Sequence, residues 1–455
     1  MPTKNFRLAI GVFIIGLPAY LIRFRLGPLP STLLELNFGI LFLVWLIKYA
    51  RQDYTYLKIQ IKNHKYFFNI FLIFFISSIV SIFVSDMWYY SLGQWRAYFL
   101  EPMLVFVMLI GHTISANHPY PSLERRGGAL SPPARPARST RSSEAGGGGV
   151  GLKAGGGGSN QLSTTDLIWF LALSTLSISL FGIAQRFTGW HIGNVDWIAL
   201  ETGRVTSFFL SPNAVGLFLG PIIPLIAYLL IKNRSHNPRR NFIIYHLSFI
   251  ICALALVTLL LTKSLGAILA VALGILLFAY LVGYKKTALI TVLIVGCLVL
   301  STYRLGLLQN KSQSLANRLT LWTYSWHYLT ESPKNFVFGT GIRQFFRKIQ
   351  KPYYDVHKME RLIYPHNIFL NFWTETGLFG MLSFTTLYCY LLRATWYVYI
   401  KSDKILGASL LAALIIILVH GLIDVPYFKN DLAMLFWILT ALVVTNENTI
   451  RTNES

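Results

Sequence analysis

Four short stretches gather the residue types that handle phosphates and protons. They are Tyr364-Pro365-His366-Asn367, Asn317-Arg318-Leu319, Gly203-Arg204-Val205, and Gly421-Leu422-Ile423-Asp424-Val425. Arginine grips phosphate oxygens with two parallel donors and stays charged at any physiological pH. Histidine, with an ordinary pKa of about 6.5, can take a proton from a hydroxyl near neutrality. Together they suit transfer of a group from a phosphorylated donor, with arginines carrying the charge of the leaving group in place of a metal ion. The motifs of other chemistries are missing. There is no Asp-x-Asp pair, no His-Glu-x-x-His and no Gly-x-Ser-x-Gly, and the ten histidines are scattered without ligand spacing. Gly339-Thr340-Gly341 reads as a turn, since no strand-helix unit surrounds it to make a dinucleotide fingerprint. Each residue also has a plainer reading. Arg204 could snorkel at a membrane interface, and His366 could only cap or pack a helix.

The elements that must position these residues are membrane spans. Apolar residues make up 54% of the chain and charged residues 13%, too apolar for a soluble domain. A helix crosses the hydrocarbon core with roughly 20 apolar residues. Twelve segments meet or approach that length: 6–22, 32–49, 66–84, 98–114, 167–187, 214–231, 242–261, 266–283, 287–303, 377–400, 406–422 and 432–444. The expected fold is therefore all-α, a polytopic membrane protein. The first run has Lys4, Arg7, Arg23 and Arg25 on its flanks and no small-x-small cleavage site after it, so it is expected to be retained. Cys252, Cys297 and Cys389 all lie in apolar runs and read as small core residues. The net charge of +22 is best explained by Lys and Arg flanking spans, not by nucleic acid.

Charge asymmetry sets the expected orientation. With the N-terminus inside, the inner segments hold 17 Lys/Arg, and residues 115–166 add six more, against seven in the short outer loops. Both termini are then cytoplasmic and the long stretch 304–366 lies outside. That stretch carries ten Lys/Arg against three Asp/Glu, against the usual trend for an outer segment. A solvated basic loop is one explanation. The sharper one is a surface for a polyanion at the outer membrane face, such as a lipid diphosphate.

The expected organisation runs as follows: spans one to four in residues 1–116, a flexible Gly/Pro/Arg-rich cytoplasmic insertion in 117–165, and spans five to nine in 166–303. The large outer loop, 304–367, comes next, and spans ten to twelve with a short tail fill 368–455. Trp190 and Trp197 fit interfacial anchors in the loop before Arg204. Within the large loop Ser314 to Thr330 is predicted to be a helix. Ser314 is the expected N-cap, Leu315, Leu319, Trp322 and Trp326 form one apolar face for the outer interface, and Pro333 follows the end. Pro365 disfavours a helical Tyr364, so the next helix is predicted to begin near His366, which puts the imidazole at the outer interface.

At these residues the chain resembles the O-antigen ligase and polymerase superfamily. The resemblance rests on Gly203-Arg204-Val205 with Phe208 and Pro212-Asn213, and on Asn317-Arg318-Leu319 with Trp322, Gly339-Thr340-Gly341 and Phe345. Its third part is Pro365-His366-Asn367-Ile368-Phe369-Leu370 with Glu375-Thr376-Gly377-Leu378-Phe379-Gly380. It covers the chain except 117–165. It implies a metal-independent, inverting glycosyltransferase without a cofactor, at the outer face of a bacterial inner membrane. The donor would be a glycan on undecaprenyl diphosphate, and the acceptor a glycan, lipid or protein hydroxyl. Carried over residue by residue, it implies Arg204 and Arg318 on the diphosphate and His366 on the acceptor. Asn367 and Asp424 are expected to support the site.

Ligase, polymerase and protein O-oligosaccharyltransferase share the donor and differ in acceptor, and all three remain open. A flippase or exporter of lipid-linked glycans is the alternative from another class. It should place ionisable groups deep in its spans and show repeat symmetry. Glu35, Glu101 and Arg393 instead fall near span ends, no repeat is evident, and the polar chemistry concentrates in one outer loop.

Overall fold

The computed structural model describes residues 2–27, 29–115, 162–191, 203–232, 238–286, 309–353 and 361–454, with Ile290 and Gly296. Outside these lie most of the predicted 117–165 insertion, Trp197, nearly all of the ninth predicted span, and residues 304–308 and 354–360 of the large loop.

The described chain is mostly helical. Its first half has α1 (Pro2–Ile15), a short antiparallel hairpin of β1 (Arg23–Leu26) and β2 (Leu29–Thr32), α2 (Leu33–Lys48), α3 (Ala50–Asn63), α4 (Lys65–Val84), α5 (Trp88–Trp95) and α6 (Glu101–Ser115). After the insertion come α7 (Thr164–Thr188), α8 (Pro212–Lys232), α9 (Pro238–Leu261) and α10 (Leu265–Val282). Then follow α11 (Gln309–Glu331), α12 (Pro333–Phe338), a π-helical turn at Phe345–Gln350, α13 (Ile368–Lys401), α14 (Lys404–Gly421) and α15 (Asn430–Glu454).

Seven of these helices are long and apolar enough to cross a membrane, or eight if the bent pair α2–α3 is one span. They answer to the third, fifth to eighth, eleventh and twelfth predicted spans, with the second in the bent pair. The protein is thus a many-helix membrane protein, while the twelve predicted spans are not all found among the described residues. The fourth opens as a π-helical turn, Arg96–Leu100, ahead of the 15 residues of α6. The tenth lies in α13, whose run is diluted by Ser383, Thr385, Thr386 and Arg393.

Two devices hold the elements around the candidate residues in place. The first is an aromatic core. Phe74, Phe99, Phe372, Phe384, Tyr427, Phe436 and Trp437 interlock through ring contacts and tie α4, the π-helical turn before α6, α13 and α15 to the segment before α15. Trp437 Nε1 donates to the Tyr427 hydroxyl at 3.0 Å, so the one polar edge of that buried indole is satisfied.

The second is a break in α13. Gly377 sits at φ 75°, ψ −179°, a conformation that needs glycine and interrupts the helix ladder. The carbonyl of Thr374, on the N-terminal side of the break, is taken by the stretch before α13: Thr340 donates to it from its backbone N at 2.7 Å and from Oγ1 at 2.9 Å. The Gly339-Thr340-Gly341 turn does make a sharp bend, but it does so to enter this break. A Cβ on Gly339 would lie 2.4 Å from the Thr374 oxygen, and one on Gly341 would lie 2.6 Å from the Ser85 nitrogen. Arg343 N adds a bond of 2.9 Å to Glu375 Oε2, and Trp373 Nε1 one of 2.8 Å to the Phe336 carbonyl.

Candidate functional site

The predicted loop helix forms as α11 but is longer than its apolar pattern. It begins at Gln309, so Ser314 is inside it and is not its cap. The polar run 309–314 carries no apolar period, yet its Gln, Lys and Ser residues are adequate helix formers. Ser314 instead accepts from Arg318 Nη1 at 3.1 Å, one turn on. The helix has two apolar faces. Leu321, Tyr324 and Leu329 are buried, the first two in a cluster with Phe345 and Ile349, while the predicted face of Leu315, Leu319 and Trp326 is about half exposed.

Trp322 fixes α11 over the Pro-His-Asn loop. Its Nε1 donates to the Pro365 carbonyl at 2.8 Å. Arg318, four residues earlier, shares that side of the helix. The next helix starts at Ile368, two residues later than predicted. Its cap is Asn367, whose Oδ1 accepts from Leu370 N at 3.0 Å and whose Nδ2 donates to the Leu422 carbonyl at 3.1 Å. His366 stands just outside the helix at φ 54°, a left-handed conformation uncommon for a residue with a Cβ. Two bonds from its neighbours and one from Tyr364, whose hydroxyl donates to the Phe428 carbonyl at 3.0 Å, hold it there.

This posture brings His366 Nδ1 to 3.2 Å from Asp424 Oδ1. Asp424 lies past the end of α14, and Oδ1 also accepts from Val425 N at 2.9 Å. Burial disfavours the Asp424 carboxylate, but the hydrogen bond and charge of His366 and the Val425 amide outweigh it. Its carboxyl is held well below the usual range. An ionised carboxylate only accepts, so Nδ1 of His366 donates and Nε2 is the nitrogen left to act.

His420, one turn before Asp424 at the end of α14, was not singled out from the sequence. It is 2% exposed. An ionisable residue in an apolar run was the available signal. Its ring lies beside two glycines, at ordinary contact distance. A Cβ on Gly216 would lie 3.6 Å from its Cε1, and one on Gly266 would lie 3.5 Å from its Cδ2. Asp424 and Arg318 are both within electrostatic reach of it.

Arg204 joins from the other side. Its Nε donates to the Thr262 carbonyl at 2.7 Å and its Nη2 to Asn213 Oδ1 at 3.2 Å, which also accepts from Ser264 Oγ at 3.0 Å. Asn213 is one turn before Gly216, and Ser264 is two residues before Gly266. Arg318 and Asp424 reach His420, Asp424 pairs with His366, and Asn367 bonds to the segment between His420 and Asp424, while Arg204 is tied to the elements that carry Gly216 and Gly266. Asp424 Oδ2, His420 Nδ1 and Arg318 Nε are buried there without a hydrogen-bond partner among the described residues. Three unsatisfied groups from three elements are costly unless something polar completes them. Acceptor, donor and imidazole together suit a ligand with both hydroxyl and anionic oxygens.

Among curated proteins no match is found. A family model described as O-Antigen ligase matches residues 250–385, a stretch that contains Arg318, the Gly339-Thr340-Gly341 turn, His366, Asn367 and the α13 break. The match supports the O-antigen ligase superfamily as the family of this chain.

Proposed function

We propose that this protein transfers a glycan from undecaprenyl diphosphate to an acceptor hydroxyl, as an O-antigen ligase does. The observation that carries the reading is the His366–Asp424 pair, with His366 and Arg318 both in the stretch that matches the family and Arg318 and Asp424 both within electrostatic reach of His420. Asp424 orients His366 as the carboxylate orients histidine in a Ser-His-Asp triad. Nε2 takes the proton of the acceptor hydroxyl, whose oxygen attacks the anomeric carbon. The bond from that carbon to the diphosphate breaks, and its electron pair leaves on the diphosphate oxygen. Arg318 and Arg204 carry the charge that develops there, without a divalent metal. Attack opposite the leaving group inverts the anomeric centre. Asn367 holds the His366 loop to the end of α14.

In this reading the chain has twelve spans, both termini are cytoplasmic, and residues 304–367 lie at the outer face of a bacterial inner membrane. A polymerase or protein O-oligosaccharyltransferase would use the same centre with another acceptor. Reconstitution with a defined glycan on undecaprenyl diphosphate and separate lipid, glycan and protein acceptors tests it. Transfer with inverted linkage, persisting in chelator, is expected. Movement of the intact donor between leaflets without transfer to any acceptor would favour the flippase.

A further inference from the structure

The bend between α2 and α3 lies apart from this site. The two helices meet at 89°, so α3 turns sharply off the line of α2 instead of continuing it. Asp53, Tyr56 and Gln60 are its buried residues. Arg51, Lys58 and Lys62 are exposed, and at i, i+7 and i+11 they form one stripe on the opposite side. Lys48 and Lys65, just outside the helix, are exposed too. The single acid of α3, Asp53, is 1% exposed, accepts from Trp45 Nε1 at 2.8 Å and lies 3.4 Å from His112 Nδ1. The exposed charge of the bend is therefore wholly positive. Tyr54, Ile59 and Ile61 flank the stripe and are 56%, 47% and 43% exposed. Beside the helix a cavity of about 300 Å³ opens, walled mainly by Trp45, Ala50, Leu57, Val107 and Gly111; Arg51, Tyr54 and Asp53, the last already bonded to Trp45, also line it. Arg51 thus belongs both to the basic stripe and to the apolar cavity.

We propose that this bend binds one anionic phospholipid, with its phosphate on Arg51, Lys58 and Lys62 and an acyl chain in the cavity. A helix turned sharply off the line of α2, with exposed apolar flanks and a purely basic exposed stripe, fits the headgroup layer. The pairing of cavity and charge calls for a ligand with an apolar tail and an anionic head, which free phosphate is not. The site is independent of the glycan chemistry.

Native mass spectrometry of the full chain in detergent tests this, with dioleoylphosphatidylglycerol, dioleoylphosphatidylcholine or inorganic phosphate added. One retained phosphatidylglycerol per chain is expected, preferred over phosphatidylcholine by roughly tenfold or more. Inorganic phosphate should leave no adduct. The triple variant Arg51→Gln, Lys58→Gln, Lys62→Gln should lose the preference and keep the thermal stability of the wild type in phosphatidylcholine, because all three side chains are exposed. Ala50→Phe, which narrows the cavity and leaves the charges, should lower retention as well. Equal retention of both lipids, or a preference that survives the triple variant, would overturn the proposal. So would several lipids bound without a discrete first one.

Discussion

Nδ1 of His366 stands 3.2 Å from Oδ1 of Asp424, and 58 residues separate the two along the chain. The contact joins the start of α13 to the end of α14. It leaves Nε2 of His366 as the free nitrogen of the ring.

The pair gives a stability test. The Asp424 carboxyl is depressed below its ordinary value of about 4 by His366 and the Val425 amide, against burial. A depressed carboxyl stabilises the folded state fully above its unfolded pKa, and that share is lost as pH falls toward the folded one. Thermal unfolding in detergent should therefore show wild type losing stability below about pH 4, and Asp424→Asn should lack that portion of the loss. The Asn variant should also transfer more slowly, by up to roughly 10⁴-fold as in a triad that loses its orienting carboxylate. An Asn variant with the wild-type acid profile would remove the link.

His366→Gln can hydrogen-bond but cannot accept a proton near neutrality. Single-turnover transfer should fall by roughly 10²–10⁴, with donor binding little changed because the arginines remain. Near-normal turnover with an unchanged pH profile would mean that His366 orients the loop and moves no proton.

Arg204→Lys and Arg318→Lys keep the charge and lose the planar fork. Each should slow transfer by roughly 10²–10³ while expression holds. Wild-type rates in both variants would end the diphosphate assignment.

Gly377→Ala forces a Cβ into a left-handed backbone, 2.4 Å from the Val337 carbonyl oxygen. It should destabilise the protein by about 1–3 kcal/mol. Gly93→Ala is the control: it lies in α5 with nothing within 4 Å of its added Cβ, and should be neutral or slightly stabilising. Equal melting temperatures for the two variants would argue against a rigid break in α13.

Some of this was legible in the chain. Apolar runs exposed the membrane class, and the residue types around Arg204, Arg318 and His366 pointed to phosphate and proton handling. The start of the tenth predicted span fell on Gly377, where α13 is broken. What could not be read is what depends on distant partners. Ser314 resembled a cap because the apolar period begins there, but helix formation does not stop where amphipathicity does. Gly339-Thr340-Gly341 announced a turn, and nothing local showed that Thr340 completes a carbonyl 34 residues away. His420 passed as one polar residue in an apolar run. Its position within reach of Asp424 and Arg318 emerges only in the folded chain.

The break at Gly377 divides α13 into two parts with different attachments. The N-terminal part, Ile368–Thr376, is bonded to the loop through Thr374 and Glu375. The C-terminal part packs among the spans. A bilayer that thins or thickens changes the tilt its spans prefer. Such a change acts on the C-terminal part first, and the glycine joint lets the N-terminal part keep its own angle. The geometry around His366 should then be insulated from lipid chain length, so one protein would hold the same reacting distances in membranes of different thickness.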